Sequence, residues 1–265
     1  MVKSKGTQEW SPRSLNCYFG CSNNCSYCYA RRMAIRFNRI EGNGDWKNMR
    51  PNWKAINKTY RRVKKKDLGD GQYDYMFPTS HDITPISVDS CSIVLGKVLE
   101  AGNSVLITTK ANYKCIDKLY EIVFAKPDKT PNEYKDQVEF RITITSSDDD
   151  ILKKYETNAP RFESRLSSLS ILNALDFKTS VSIEPYLSNP IKTILCIYEF
   201  VNNTIWIGVM SGSVPKELKH LYTKEYLEQL YNSLFLLPKK ISHKIRLKDS
   251  VVNKLNLQNN IIEAY

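Results

Sequence analysis

The chain has 265 residues, 42% of them hydrophobic, and its 39 Lys and Arg against 28 Asp and Glu give a formal charge of +11. That is enough for a full core in one large α/β domain or two small ones. With no apolar run long enough to cross a bilayer and no leader pattern at the start, the expected location is the cytoplasm, without a membrane partner. Seven cysteines, four of them packed between Cys17 and Cys28, argue against a secreted disulfide scaffold and for thiols kept reduced to bind metal.

Residues Met1 to Arg13 are mostly polar and read as a lead-in. Leu15 to Phe19 is short and β-prone, which predicts a first strand, the cysteine-rich loop directly after it, and a helix over Tyr29 to Phe37. Glu41 to Pro51, rich in Gly, Asn and Asp, reads as a loop, and Trp53 to Lys66 as helical or mixed. A buried strand is expected over Asp74 to Pro78 and a helix over Ser90 to Ala101, ended by Gly102. A β-branched strand over Ser104 to Thr109 and a helix over Tyr113 to Ala125 follow. After the Pro- and Lys-rich Lys126 to Lys135 come an alternating strand over Val138 to Thr145 and helices over Asp149 to Tyr155 and Arg161 to Leu175. Thr179 to Glu184 and Thr204 to Met210 are further strands, Ile194 to Val201 is either helix or strand, and Tyr226 to Leu236 is an amphipathic helix. The tail from Ile241 is basic and weakly periodic.

Strand followed by helix, repeated about six times, is the signature of βα units around a parallel sheet. The chain is too short for eight such units, so the expected fold is α/β, a partial (β/α)6 TIM-like barrel. It reads as a single domain over 1–265, with the core at about 14–212 and a C-terminal extension over 213–265.

In such architectures ligands sit where strands end at their carboxyl side. The predicted exits carry Cys21 to Cys28, Ser80 to Asp82, Thr109 and Lys110, Ser146 and Ser147, Glu184, and Ser211 and Gly212. Polar groups recur at each exit, as a site for a zwitterionic nucleoside requires.

Cys21, Cys25 and Cys28 have the spacing C-x3-C-x2-C. Three thiolates on one short loop can bind three irons of a [4Fe-4S] cluster and leave the fourth iron open. Structural zinc sites take ligands from two separated turns, and no second turn of that kind is present here. The motif, with Tyr27 before its last cysteine, resembles the radical S-adenosylmethionine (radical SAM) superfamily. The segments CSYCYA, TSHD, TTKA and TITSSDD resemble its spore photoproduct lyase-like branch.

That resemblance implies Cys21, Cys25 and Cys28 as cluster ligands and S-adenosylmethionine on the open iron, cleaved to a 5′-deoxyadenosyl radical that abstracts hydrogen. It also implies an electron donor such as flavodoxin or ferredoxin. By likeness Lys110 meets the SAM carboxylate, Ser80 and Ser146 its amino and ribose groups, and Tyr27 packs near the adenine. The branch's hydrogen-donor cysteine has no counterpart, because Thr79 occupies that segment. No further cysteine cluster is present for auxiliary iron–sulfur sites.

Other residues stay open at this stage. Cys17 is a spare ligand, a hydrogen-atom donor or a buried apolar residue, with burial favoured, and Cys91, Cys115 and Cys196 read as core. His81 and Asp82 are candidates for a SAM contact or an acid/base pair. Glu156 and Arg165 are a candidate ion pair, and Glu184 a ribose or substrate contact. The cations between Arg31 and Lys66, with RRVKKK at Arg61 to Lys66, favour a nucleic acid or nucleotide as partner. The alternatives are the same chemistry on a peptide, protein or small metabolite, or a zinc-stabilised nucleic-acid-binding protein.

Overall fold

A computed structural model describes residues 6–40, 43–64, 72–125 and 133–262. Six strands form one parallel sheet in strict sequence order: β3 (Tyr75–Phe77), β4 (Val105–Thr109), β5 (Val138–Thr143), β6 (Lys178–Ile183), β7 (Ile205–Ile207) and β8 (Ile245–Leu247). The helical crossovers are α4 (Val88–Glu100), α5 (Tyr113–Val123), α6 (Asp149–Tyr155) with α7 (Phe162–Ala174), α8 (Pro190–Ile197), and α9 (Lys224–Phe235) with α10 (Lys239–Ser242). Sequential parallel strands joined this way form the incomplete barrel that the βα repeat predicts. No helix among the described residues is long and apolar enough to cross a membrane.

The helix-facing layer is apolar. Phe140 of β5 lies 5.2 Å from Phe177 and 6.2 Å from Phe124 between ring centroids, with Phe124 and Phe177 4.9 Å apart. Side chains alternate along a strand, so Glu139 and Arg141 face the other way, into the barrel. Glu139 accepts from Tyr73 Oη and Ser180 Oγ at 2.5 Å each, Asn203 Nδ2 at 2.9 Å and Arg141 Nη2 at 3.1 Å. The Arg141 guanidinium lies 4.5 Å from the Trp10 ring and 5.5 Å from Trp206. Lys248 covers Trp10 at 3.6 Å and pairs with Glu9 at 2.6 Å, so the N-terminal segment fills the barrel interior.

Several expectations change. The first strand shrinks to β1 (Tyr18–Phe19), which pairs antiparallel with β2 (Arg50–Pro51) in a separate two-stranded sheet. Ser14, just ahead of this stretch, bridges to the main sheet at Met76. The sixth barrel strand is β8, so the sheet continues past 212 into the stretch read as an extension. Ile205 N donates to Lys244 O at 2.8 Å and Lys248 N to Ile207 O at 2.9 Å at either end of this pairing. Within 41–51 lie α2 (Asn43–Trp46) and β2, and Trp53 to Lys66 holds only α3 (Trp53–Ile56) before irregular chain, with Lys65 and Lys66 outside the described residues. Of the stretch Ile194 to Val201, all but Val201 is helical. Cys196 is exposed rather than core, because the buried face of α8 runs through Pro190, Thr193, Ile194 and Ile197.

Phe177, fully buried among three aromatic neighbours, holds the helix layer to the sheet. Phe177→Ala should destabilise the fold by about 3–5 kcal/mol, read as a lower urea midpoint at unchanged slope. An unaltered midpoint would show that this aromatic cluster contributes little.

Candidate functional site

The cysteine loop runs from Gly20 to α1 (Tyr29–Arg36) and is held by backbone on both sides. Gly20 has φ +83° and an added Cβ would stand 2.5 Å from the Trp46 carbonyl oxygen, so glycine is required here. That carbonyl accepts from Cys21 N at 2.7 Å. On the other side Ser26 N donates to Tyr155 O at 2.8 Å, and Asn158 donates to Asn23 O and Ser22 O. The trio Cys21, Cys25 and Cys28 thus stands beside the carboxyl end of α6.

All three thiols are free. Cys21 and Cys25 are buried, and Cys28 is half-buried at the N-terminus of α1, its Sγ accepting from Arg31 N at 3.4 Å. Burial pushes the Cys25 thiol up to about 12 and raises Cys21 further, with the Asp82 carboxylate adding to the latter. Thiolates are disfavoured there without a compensating cation, which is the condition a metal centre meets. Three unbridged sulfur donors on one rigid loop fit an iron–sulfur centre with three protein ligands.

The tightest group of metal-type donors among the described residues is a different one, Cys17, His81 and Cys91, all buried and within 4.8 Å of one another. Cys17 Sγ lies 3.5 Å from Cys91 Sγ and 3.6 Å from His81 Nε2. Nε2 already accepts from Cys17 N at 3.1 Å, which places the ring proton on Nδ1, 3.0 Å from the Asp82 carbonyl. The Cys91 contact, with His81, holds the Cys17 thiol down at about 6 against burial. Cys17 is buried, in contact with both partners. His81 thus bonds the main-chain carbonyl of Asp82, and the Asp82 carboxylate makes its contacts elsewhere.

The Asp82 carboxylate instead ties the loop to β4. It accepts from Asn23 Nδ2 at 2.6 Å, Thr109 Oγ1 at 2.5 Å, Ile83 N at 2.7 Å and Lys110 N at 3.1 Å. Asn16, ahead of the motif, receives the Thr79 and Ser80 amides at 2.9 and 2.8 Å and orients the β3 exit.

The densest electrostatic group is built on Glu156, fully buried at the end of α6. Lys110 Nζ pairs with it at 2.8 Å, Thr145 Oγ1 donates at 2.6 Å, and Arg165 Nη2 and Tyr27 Oη make short contacts to it. Lys110 also reaches Tyr27 Oη at 2.9 Å, leaving one ammonium proton for another acceptor. Burial opposes ionisation, but Lys110 and Arg165 overcome it and hold the Glu156 carboxyl well below its usual range.

The other expected residues differ in how committed they are. Ser80 is half-buried, with its amide fixed. Ser146 is buried, its hydroxyl 2.7 Å from Ser188 Oγ and accepting from Asp148 N at 3.0 Å, so it closes a turn. Glu184 packs on Gly208, and burial raises its carboxyl above the usual range. Arg32 of α1 donates to Ser211 O and Oγ in the loop after β7, crossing the mouth. Sequence reasoning missed Asn16, Asn23, Thr145 and Asn158. Their only signal was a polar residue beside the cysteine motif or at a strand exit.

Glu156→Gln should destabilise the protein by about 3–5 kcal/mol at neutral pH, because Lys110 and Arg165 lose their shared counter-charge. A carboxyl held low in the folded state stabilises above its unfolded value near 4.3 and loses that contribution as pH falls through the folded value. The gap between wild type and variant should therefore hold at pH 7 and close only in strong acid. A gap independent of pH would mean that charge is not its origin.

No protein-family model matches the chain. An uncharacterized protein of Methanocaldococcus jannaschii is 25% identical over 252 residues, 91% of this chain and 85% of that protein. Among solved structures, a spore photoproduct lyase mutant with bound AdoMet and dinucleoside spore photoproduct aligns with a TM-score of 0.51 at 13% identity, over 83% of this chain and 60% of that one. Streptococcus suis SuiB bound to S-adenosylmethionine aligns at 0.49 and 13% identity, over 84% of this chain and 42% of that one. The chain therefore spans less than two thirds of either solved structure. With its six parallel strands in sequence order and a cysteine loop at their carboxyl ends, this chain has the fold of spore photoproduct lyase.

Proposed function

We propose that the chain is a radical SAM enzyme. The observation that carries this reading is the free trio Cys21, Cys25 and Cys28 on a loop locked at the carboxyl end of a six-stranded parallel barrel. These residues would hold a [4Fe-4S] cluster, which supplies one electron for cleaving S-adenosylmethionine to a 5′-deoxyadenosyl radical that abstracts hydrogen. The protein's part is to bind, orient and exclude water. Asp82, through Asn23, fixes the loop between its first two cysteines. The Lys110 ammonium, steadied by Glu156 and Tyr27, offers its remaining proton to the SAM carboxylate, and Ser80 lies at the neighbouring exit for the amino group. Ser146 acts through the turn it closes, and Glu184 is placed to meet the ribose or substrate.

A nucleic acid or nucleotide is the substrate class we favour, from the basic charge and the dinucleoside bound by the lyase neighbour. An external donor such as flavodoxin or ferredoxin would supply the electron. A zinc-stabilised nucleic-acid-binding protein predicts instead a colourless protein with one zinc.

Anaerobic reconstitution should give a brown protein with about four irons per chain. Alanine at Cys21, Cys25 or Cys28 should abolish it and Cys17→Ala should keep it; complete iron loss in Cys17→Ala would make Cys17 a ligand. With dithionite and S-adenosylmethionine the protein should release 5′-deoxyadenosine, and none under any reductant would reject radical chemistry.

Lys110→Ala leaves Glu156 paired with Arg165. It should retain iron while binding S-adenosylmethionine about 10- to 100-fold more weakly, the worth of one charge-assisted hydrogen bond. Equal affinity by equilibrium dialysis would remove Lys110 from the SAM site.

A further inference from the structure

The described cations between Arg31 and Lys64 divide between two ends of the molecule. Arg31 and Arg32 on α1 bond the cysteine loop and the β7 exit. The irregular segment 57–64 lies at the opposite end. Asn103, buried just ahead of β4, accepts from Val63 N at 2.8 Å and donates to Arg61 O at 3.2 Å, which pins this segment to the amino ends of the strands. There a depression of about 600 Å³ is lined by Arg13, Lys58, Arg61, Arg62, Lys64 and Tyr75.

Lys58, Arg61, Arg62 and Lys64 are exposed, and none is in an ion pair among the described residues. No carboxylate occurs between Asn57 and Lys64.

We propose that this groove binds the phosphate backbone of a single-stranded nucleic acid, at the end of the barrel away from the candidate site. Four cations within seven residues, a stretch that can reach at most about 25 Å, match a linear series of negative charges better than one compact anion. The adjacent Arg61 and Arg62 present planar donors suited to phosphate oxygens. Half-buried Tyr75 offers a ring on which a base can stack. A reductant is a poor occupant, because the length of β4, about 17 Å at 3.3 Å per residue, separates this groove from the cysteine loop. The groove is defined without reference to the cluster, so it stands or falls apart from the radical reading.

The test uses the anaerobically reconstituted full chain and a fluorescein-labelled 20-nucleotide oligothymidylate, followed by anisotropy across a salt titration. Lys58→Glu/Arg61→Glu/Arg62→Glu should weaken binding at least tenfold and flatten the log–log salt slope by about 2, or 0.7 for each of three lost phosphate contacts. Arg36→Glu/Arg39→Glu, at the cysteine end, should change it far less. Equal losses in both variants, or an unchanged salt slope in the first, would overturn the proposal. So would displacement of the oligonucleotide by polyglutamate at equal charge, which would point to an acidic protein instead. Circular dichroism and iron content of the triple variant report whether its fold is intact, and a charge-neutral Lys58→Gln/Arg61→Gln/Arg62→Gln variant should show the same flattened slope. Release of 5′-deoxyadenosine is read separately and tests only the radical function.

Discussion

The candidate site depends on one buried carboxylate. Glu156 receives Lys110 from the exit of β4, Thr145 from just beyond β5, Arg165 from α7 and Tyr27 from the cysteine loop. Four separate segments are referred to one atom group. A buried charge is costly unless paired and hydrogen-bonded, and here each neighbour lowers that cost while being positioned by it. The same contact that makes the carboxylate tolerable sets where the Lys110 ammonium stands.

Asp82 repeats the device one exit away with neutral donors. Its partners are amides, an asparagine and a threonine, so it carries net negative charge next to Cys21 where Glu156 does not. The two carboxylates divide the work: Asp82 holds the loop through Asn23, and Glu156 holds the cation and phenol that face it. Asp82 sits on the loop after β3 and Glu156 at the end of α6, and the sheet beneath both sets their separation.

Much of this was legible in the sequence because it is local. The helices α4, α5 and α7 and strands β4, β5 and β6 follow apolar periodicity, and the cysteine loop is a contiguous motif. What was not legible depends on pairing across long separations. Tyr27 and Glu156 stand 129 residues apart and Lys110 and Glu156 46 apart, so no spacing rule connects them. His81 and Asp82 look like a couple as neighbours, yet the ring turns to a carbonyl. Only three residues long and set in a lysine-rich tail, β8 shows two buried apolar positions, Ile245 and Leu247, too few to register as alternation. One helical position separates Cys196 from the buried face, and composition alone cannot resolve that.

The place of β8 bears on how short this protein can be made. A chain cut after residue 212 would keep every cysteine and every group around Glu156, yet β7 would become the rim of the sheet. Its Ile205 and Ile207, both buried now, and its bare amides and carbonyls would form a template for another copy. Such a fragment should precipitate instead of behaving as a minimal catalyst, because the far end of the sequence serves as the selvedge that keeps the barrel from fraying into its neighbours.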